Sequence, residues 1–202
     1  MSCTGKPSQR RRPLRALWRA AEGIAVVEFA FVAGFLVLLY LGSVQLSDAI
    51  FANRKVTTTA RAITDLTTQF SVLTENDVQG ILLASGKALT PYSASNARIR
   101  ISQIAVDEAG VGRVSWSRIR GEDISQLDQC AVVDVPEELA IPNSFLIYGE
   151  VNFTYVPMFA AYTPGTLELA DDIFMLPRVS NSVSLLTSGS EGQDMDCSDN
   201  ET

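Results

Sequence analysis

The sequence predicts an α+β protein in which a single N-terminal transmembrane helix extends into an exported domain with an antiparallel sheet. Three observations carry this. The eighteen residues Ile24–Leu41 hold one charge, Glu28. A basic head precedes them, and a stretch free of Pro and Gly with helical spacing of apolar residues follows at Ser47–Phe70. Beyond Pro91 the chain breaks into short β-branched or alternating runs divided by turn residues.

The apolar run is long enough to be decisive. A helix crossing the hydrocarbon core needs about 17–25 largely apolar residues, and a buried soluble helix of that length would show a polar face. This one has none. A secretory signal peptide is the main competitor, but its apolar region runs to about 7–15 residues and ends in a small-residue site. Here Gly42-Ser43-Val44-Gln45-Leu46-Ser47-Asp48 follows, a poor match to that site. Residues 1–23 carry six basic side chains (Lys6, Arg10, Arg11, Arg12, Arg15, Arg19) against Glu22, whereas the rest of the chain carries ten basic and twenty-two acidic ones. Basic residues beside an apolar run hold that end in the cytoplasm. The expected division is therefore a basic leader 1–23, a span 24–46, an exported domain 47–187 and an acidic tail 188–202.

Glu28 is the anomaly. A charge at the centre of a bilayer costs about 2.5–3.5 kcal/mol even on the lenient insertion scale. If the Gly23–Ile24 bond were cut, a new α-amino group would arise on Ile24, and Glu28 would lie one helical turn away on the same face. The carboxylate would also sit favourably at the positive end of the helix dipole. It could instead pair with the amine of a neighbouring copy. The plainer alternative is an interfacial acid that reaches water.

The Arg-rich leader, Gly23 and Ile24-Ala25-Val26-Val27-Glu28-Phe29-Ala30 resemble a prepilin-type leader. More closely, they resemble the TadE-like proteins of tight-adherence (Flp-type) pilus assembly, with their Gly-x-x-x-x-Glu-[Phe/Tyr] signature. Arg54-Lys55-Val56, Ala60-Arg61-Ala62, Thr64-Asp65-Leu66-Thr67, Val114-Ser115-Trp116-Ser117, Glu150–Pro157 and Met175-Leu176-Pro177-Arg178 extend the similarity. The resemblance implies a pilin-like minor pilin or pseudopilin of the bacterial inner membrane, with its N-terminus cytoplasmic and its C-terminal domain periplasmic. It also implies cleavage between Gly23 and Ile24 by a prepilin peptidase, with Glu28 and Phe29 as the processing and assembly pair. Its partners would be that peptidase and other pilus-assembly components or pilins. The alternative is a stationary single-pass anchor whose exported domain binds another component.

In the exported part, Ile50, Phe51, Val56, Ala60, Ile63, Leu66 and Phe70 predict one buried helical stripe, making Ile24–Phe70 a single long helix with a bend plausible at Thr57-Thr58-Thr59. Thr74-Glu75-Asn76-Asp77 reads as a capped helix start, stopped by Thr90-Pro91. Strands are expected at Arg98–Val106, Val111–Arg120, Ser144–Val156, Asp172–Phe174 and Val179–Leu186, with a helical turn within Val135–Ala140. Cys130 and Cys197 lie in the compartment where disulfides persist and are expected to pair, two free thiols being the alternative; Cys3 belongs to the leader.

Other chemistry is disfavoured. The chain has no His, which removes Ser-His-Asp and Cys-His catalysis and the commonest zinc ligand. Gly110-Val111-Gly112 is no dinucleotide fingerprint, and there is no P-loop. Asp194-Met195-Asp196 lacks calcium-loop spacing. A net charge of −7 speaks against nucleic acid. The expectation is a non-enzyme with no cofactor, no metal and no small-molecule substrate.

Overall fold

The computed structural model describes residues 21–157, 165–186 and 197. The leader before Ala21, with Cys3, and the tail apart from Cys197, with Asp194 and Asp196, lie outside the described residues. The chain divides into two compact units, Met1–Leu46 and Ser47–Thr202.

Helix α1, Ala21–Thr68, is one continuous helix. Its predicted bounds, Ile24–Phe70, shift by two or three residues at each end, as frayed termini do. Within the first unit its apolar side chains have no cover: Phe29, Phe31 and Leu38 are 71%, 77% and 70% exposed. A helix apolar on every side needs a non-aqueous surround, and α1 is long and apolar enough to span a membrane.

In the second unit the rest of α1 lies on a sheet, and here the predicted stripe needs correction. Val56, Ala60 and Ile63 are buried as expected, together with Ala52. Ile50, Phe51 and Leu66 are exposed. Their places on the buried face are taken by Thr59, Thr64, Thr67 and Thr68. The Thr64 hydroxyl donates to the Ala60 carbonyl at 2.7 Å and that of Thr67 to Ile63 at 2.8 Å. Such back-bonding lets a hydroxyl enter the core without losing its partner.

Five strands form the main sheet, in the order β4-β3-β2-β5-β6. These are β2 (Ala97–Val106), β3 (Gly112–Arg120), β4 (Val132–Val133), β5 (Ser144–Tyr155) and β6 (Leu167–Met175), and every pairing is antiparallel. β6 is longer than the predicted Asp172–Phe174. The predicted Val179–Leu186 strand shrinks to β7 (Ser184–Leu186), which pairs in parallel with an unforeseen β1 (Val72–Thr74). Val135–Ala140 is a single turn closed by Leu139 N–H to the Pro136 carbonyl at 2.8 Å.

Each sheet face has its own cluster. On the α1 face, Ile99, Ile101, Ile147, Val151 and Phe153 pack with Val56, Ala60 and Ile63 and with Val78 and Leu82 of α2 (Glu75–Ala88). The opposite face carries Ile104, Val114 and Leu146 under Leu127, Ala131 and Val135 of the β3–β5 connection. α2 begins on the predicted box: Thr74 Oγ1 accepts from the Asp77 amide, and the Asp77 carboxylate accepts from the Thr74 amide at 2.9 Å. The Thr74 hydroxyl, which donates to the same carboxylate at 2.6 Å, and then the Thr74 amide hold the Asp77 carboxyl below its ordinary range. The β2–β3 turn is held by Asp107, whose Oδ1 accepts from Val111 and Ala109 N–H, each at 2.9 Å.

Candidate functional site

The residues expected to take part in leader processing share one helix end. Gly23, Ile24, Glu28 and Phe29 all lie on α1. Ile24 and Glu28 are four positions apart, hence on one face. Glu28 and Phe29 are exposed, and among the described residues Glu28 forms no ion pair. The backbone around this segment is regular helix, so access to the Gly23–Ile24 bond would require local unwinding.

The second feature lies wholly within the unit Ser47–Thr202. Asp48 is the first acid after the apolar run. Its Oδ2 accepts a hydrogen bond from the Tyr155 hydroxyl at 2.6 Å and its Oδ1 one from Tyr92 at 2.8 Å. Tyr155 is delivered by the end of β5 and Tyr92 by the loop after the cis Thr90–Pro91 bond. The rings meet edge-on, with centroids 6.2 Å apart. Burial, and then the bonded Asp48 carboxylate, push both phenols up to about 12. Both therefore remain neutral donors at any ordinary pH. One carboxylate thus joins the part of α1 that begins the second unit to two separate elements of that unit.

This clasp has a measurable worth. Hydrogen bonds to charged groups contribute about 1.5–3 kcal/mol, so Tyr155→Phe should cost about 2 kcal/mol in denaturant unfolding of the full chain in micelles. The alkaline limb gives a second readout. A tyrosine whose folded pKa lies above its unfolded value contributes fully below about pH 10 and loses that contribution as pH rises towards 12. Tyr155→Phe should therefore flatten the fall in stability over that window. An unchanged slope would contradict the clasp.

Beside the clasp runs an open groove of about 580 Å³. Phe51, Arg54, Lys55, Thr58 and Ala62 of α1 line one side and Ala88, Pro91 and Tyr92 the other. Lys55 Nζ donates to the Ala88 carbonyl at 3.2 Å. Sequence reasoning missed both clasp and groove. Asp48 was visible as the acid that ends the apolar run, but no spacing rule joins it to positions 92 and 155.

Cys130 and Cys197 are joined by a disulfide with Cα atoms 5.6 Å apart. Cys130 is in the left-handed region, φ 62°, and its N–H bonds the Val114 carbonyl at 2.8 Å, so the bridge anchors to β3. Among the described residues no group of three or more Cys, Asp or Glu is arranged to hold a metal.

No curated protein and no solved structure gives a match to the chain. Residues 23–65 do match the family model described as TadE-like protein. The similarity is confined to the segment from Gly23 through the apolar run to Asp65.

Proposed function

We propose that the protein is a membrane-anchored minor pilin or pseudopilin-like component that assists assembly or secretion of a tight-adherence pilus. The carrying observation is the TadE-like match, which begins at Gly23 and includes Glu28 as the lone charge of the apolar, uncovered run Ile24–Leu41. In this reading a prepilin peptidase hydrolyses the Gly23–Ile24 bond and discards residues 1–23. The new ammonium of Ile24, or that of a neighbouring copy, then neutralises Glu28 within the oily segment. The chain itself is a substrate and a building element, not an enzyme. It resides in the inner membrane with residue 1 cytoplasmic and the unit from Ser47 periplasmic, and it contacts other pilus-assembly components. The disulfide supports an oxidising compartment for that unit.

The test is N-terminal sequencing of the protein recovered from native membranes that contain the processing enzyme. Ile24 at position one, with loss of the leader mass, is the expected result. A chain that still begins at Met1 or Ser2 would overturn the processing step and leave a stationary anchor whose exported domain holds a partner.

A further inference from the structure

We propose that the groove beside Arg54 and Lys55 binds the phosphate headgroup of an anionic phospholipid from the leaflet in which the apolar run of α1 ends. The proposal rests on the membrane span and not on any role in a pilus.

The first argument is the order of side chains along the helix. Ile50 and Phe51 come first after the span and are 47% and 59% exposed. Arg54 and Lys55 follow one turn later, and Thr58 one turn after that. Apolar, cationic, then hydroxyl is the order in which a lipid presents acyl chain, phosphate and polar headgroup. Arg54 lies eight positions beyond Leu46, about 12 Å of helix rise. Long Lys and Arg side chains just beyond the end of a span are of a length to reach the phosphate level of the interface.

The second argument is charge. Neither Arg54 nor Lys55 has an ion-pair partner among the described residues. The bond from Lys55 to Ala88 uses one of three ammonium donors, which leaves two. The guanidinium of Arg54 offers a fork that matches phosphate oxygens. The acid in the groove, Asp48, already accepts from both tyrosines. The exposed face of Phe51 and the edge of Pro91 give an acyl chain an apolar bed, and Thr58, whose hydroxyl donates to the Arg54 carbonyl, can still accept from a glycerol headgroup.

The full chain, reconstituted into vesicles of equimolar phosphatidylcholine and phosphatidylglycerol and then extracted in mild detergent, is assayed for co-purified lipid by native mass spectrometry. Phosphatidylglycerol should be retained over phosphatidylcholine by roughly twenty-five-fold, since each of the two basic residues at a membrane surface multiplies the preference by about five. Arg54→Gln combined with Lys55→Gln should bring that ratio close to one. Arg61→Gln removes an equally exposed cation outside the groove and should leave the ratio unchanged. Equal retention of the two lipids, an unchanged ratio in the double variant, or an equal loss in Arg61→Gln would each overturn the proposal. Release of the lipid by millimolar inorganic phosphate would assign the groove to a free anion, and cross-linking of Phe51 between copies would assign it to self-association; both overturn it. Failure of the chain to enter phosphatidylcholine vesicles would remove the span and the lipid site together, whereas a pilus defect without a lipid preference removes the site alone.

Discussion

Gly149→Val should cost the unit Ser47–Thr202 about 3 kcal/mol or more, enough to leave a large fraction of the chain unfolded or degraded. Gly149 sits mid-β5 on the face that receives α1, at the register position opposite Ile101. A Cβ placed there would fall on the Thr64 hydroxyl, 3.2 Å from Thr64 Cβ and 3.6 Å from the Ala60 carbonyl oxygen. Those neighbours cannot retreat cheaply. Thr64 is fully buried and bonded to its own helix, and helix backbone does not yield like the end of a flexible side chain. Overpacking a close-packed interior costs typically 1–3 kcal/mol and at times more, and valine adds two methyls beyond the first clash. The measurement is urea denaturation of the full chain in micelles. Gly149→Ala should give a smaller loss, and Thr64→Gly in that background should recover part of it in a double-mutant cycle. A valine variant as stable as the parent would show that helix and sheet do not approach this closely.

The same contact shows where sequence reading succeeds and where it stops. The apolar run, the Thr74–Asp77 box and the period-two alternation of the strand Ser144–Val156 are local patterns written in residues a few positions apart. Of the face expected from Phe145, Ile147, Val151, Phe153 and Tyr155, the last four are buried and Phe145 is half-buried. Gly149 continues that alternation at a place where the pattern expects a side chain, and the reason for its absence lies 85 positions earlier, at Thr64. The helical stripe, right at Val56, Ala60 and Ile63, went wrong at Ile50, Phe51 and Leu66 for a related reason. Hydrophobicity ranks Phe51 and Leu66 above Thr64 and Thr67, but a threonine bonded to its own helix is compact and satisfied, while Phe51 borders an open groove. The clasp at Asp48 joins positions 48, 92 and 155, and the β1–β7 pair joins two three-residue strands; neither leaves a periodic trace. Glu28 was conspicuous for a different reason: a charge amid an apolar run is costly enough in lipid to stand out by itself.

Loss of the Cys130–Cys197 bridge should have an effect of similar or greater size. The two residues are 67 positions apart, and closing a loop of that length removes unfolded-chain entropy worth about 4 kcal/mol on the chain-entropy account. Cys130→Ser should therefore lower the denaturation midpoint markedly, as should reduction of the parent chain, with the two effects failing to add because they delete one constraint. The local consequence is specific. Cys130 stands in the connection that covers Ile104, Val114 and Leu146, and its neighbour Ala131 accepts the Val114 N–H at 3.0 Å. Release of the bridge should thus raise amide exchange first along β4 and the near edge of β3, while the α1 face, built on Ile99, Val151 and Ala60, keeps its protection. Uniform loss across both faces would mean that the two clusters unfold as one unit. An unchanged midpoint after verified reduction would mean that the bridge constrains a tail whose freedom the folded sheet never needed to restrict.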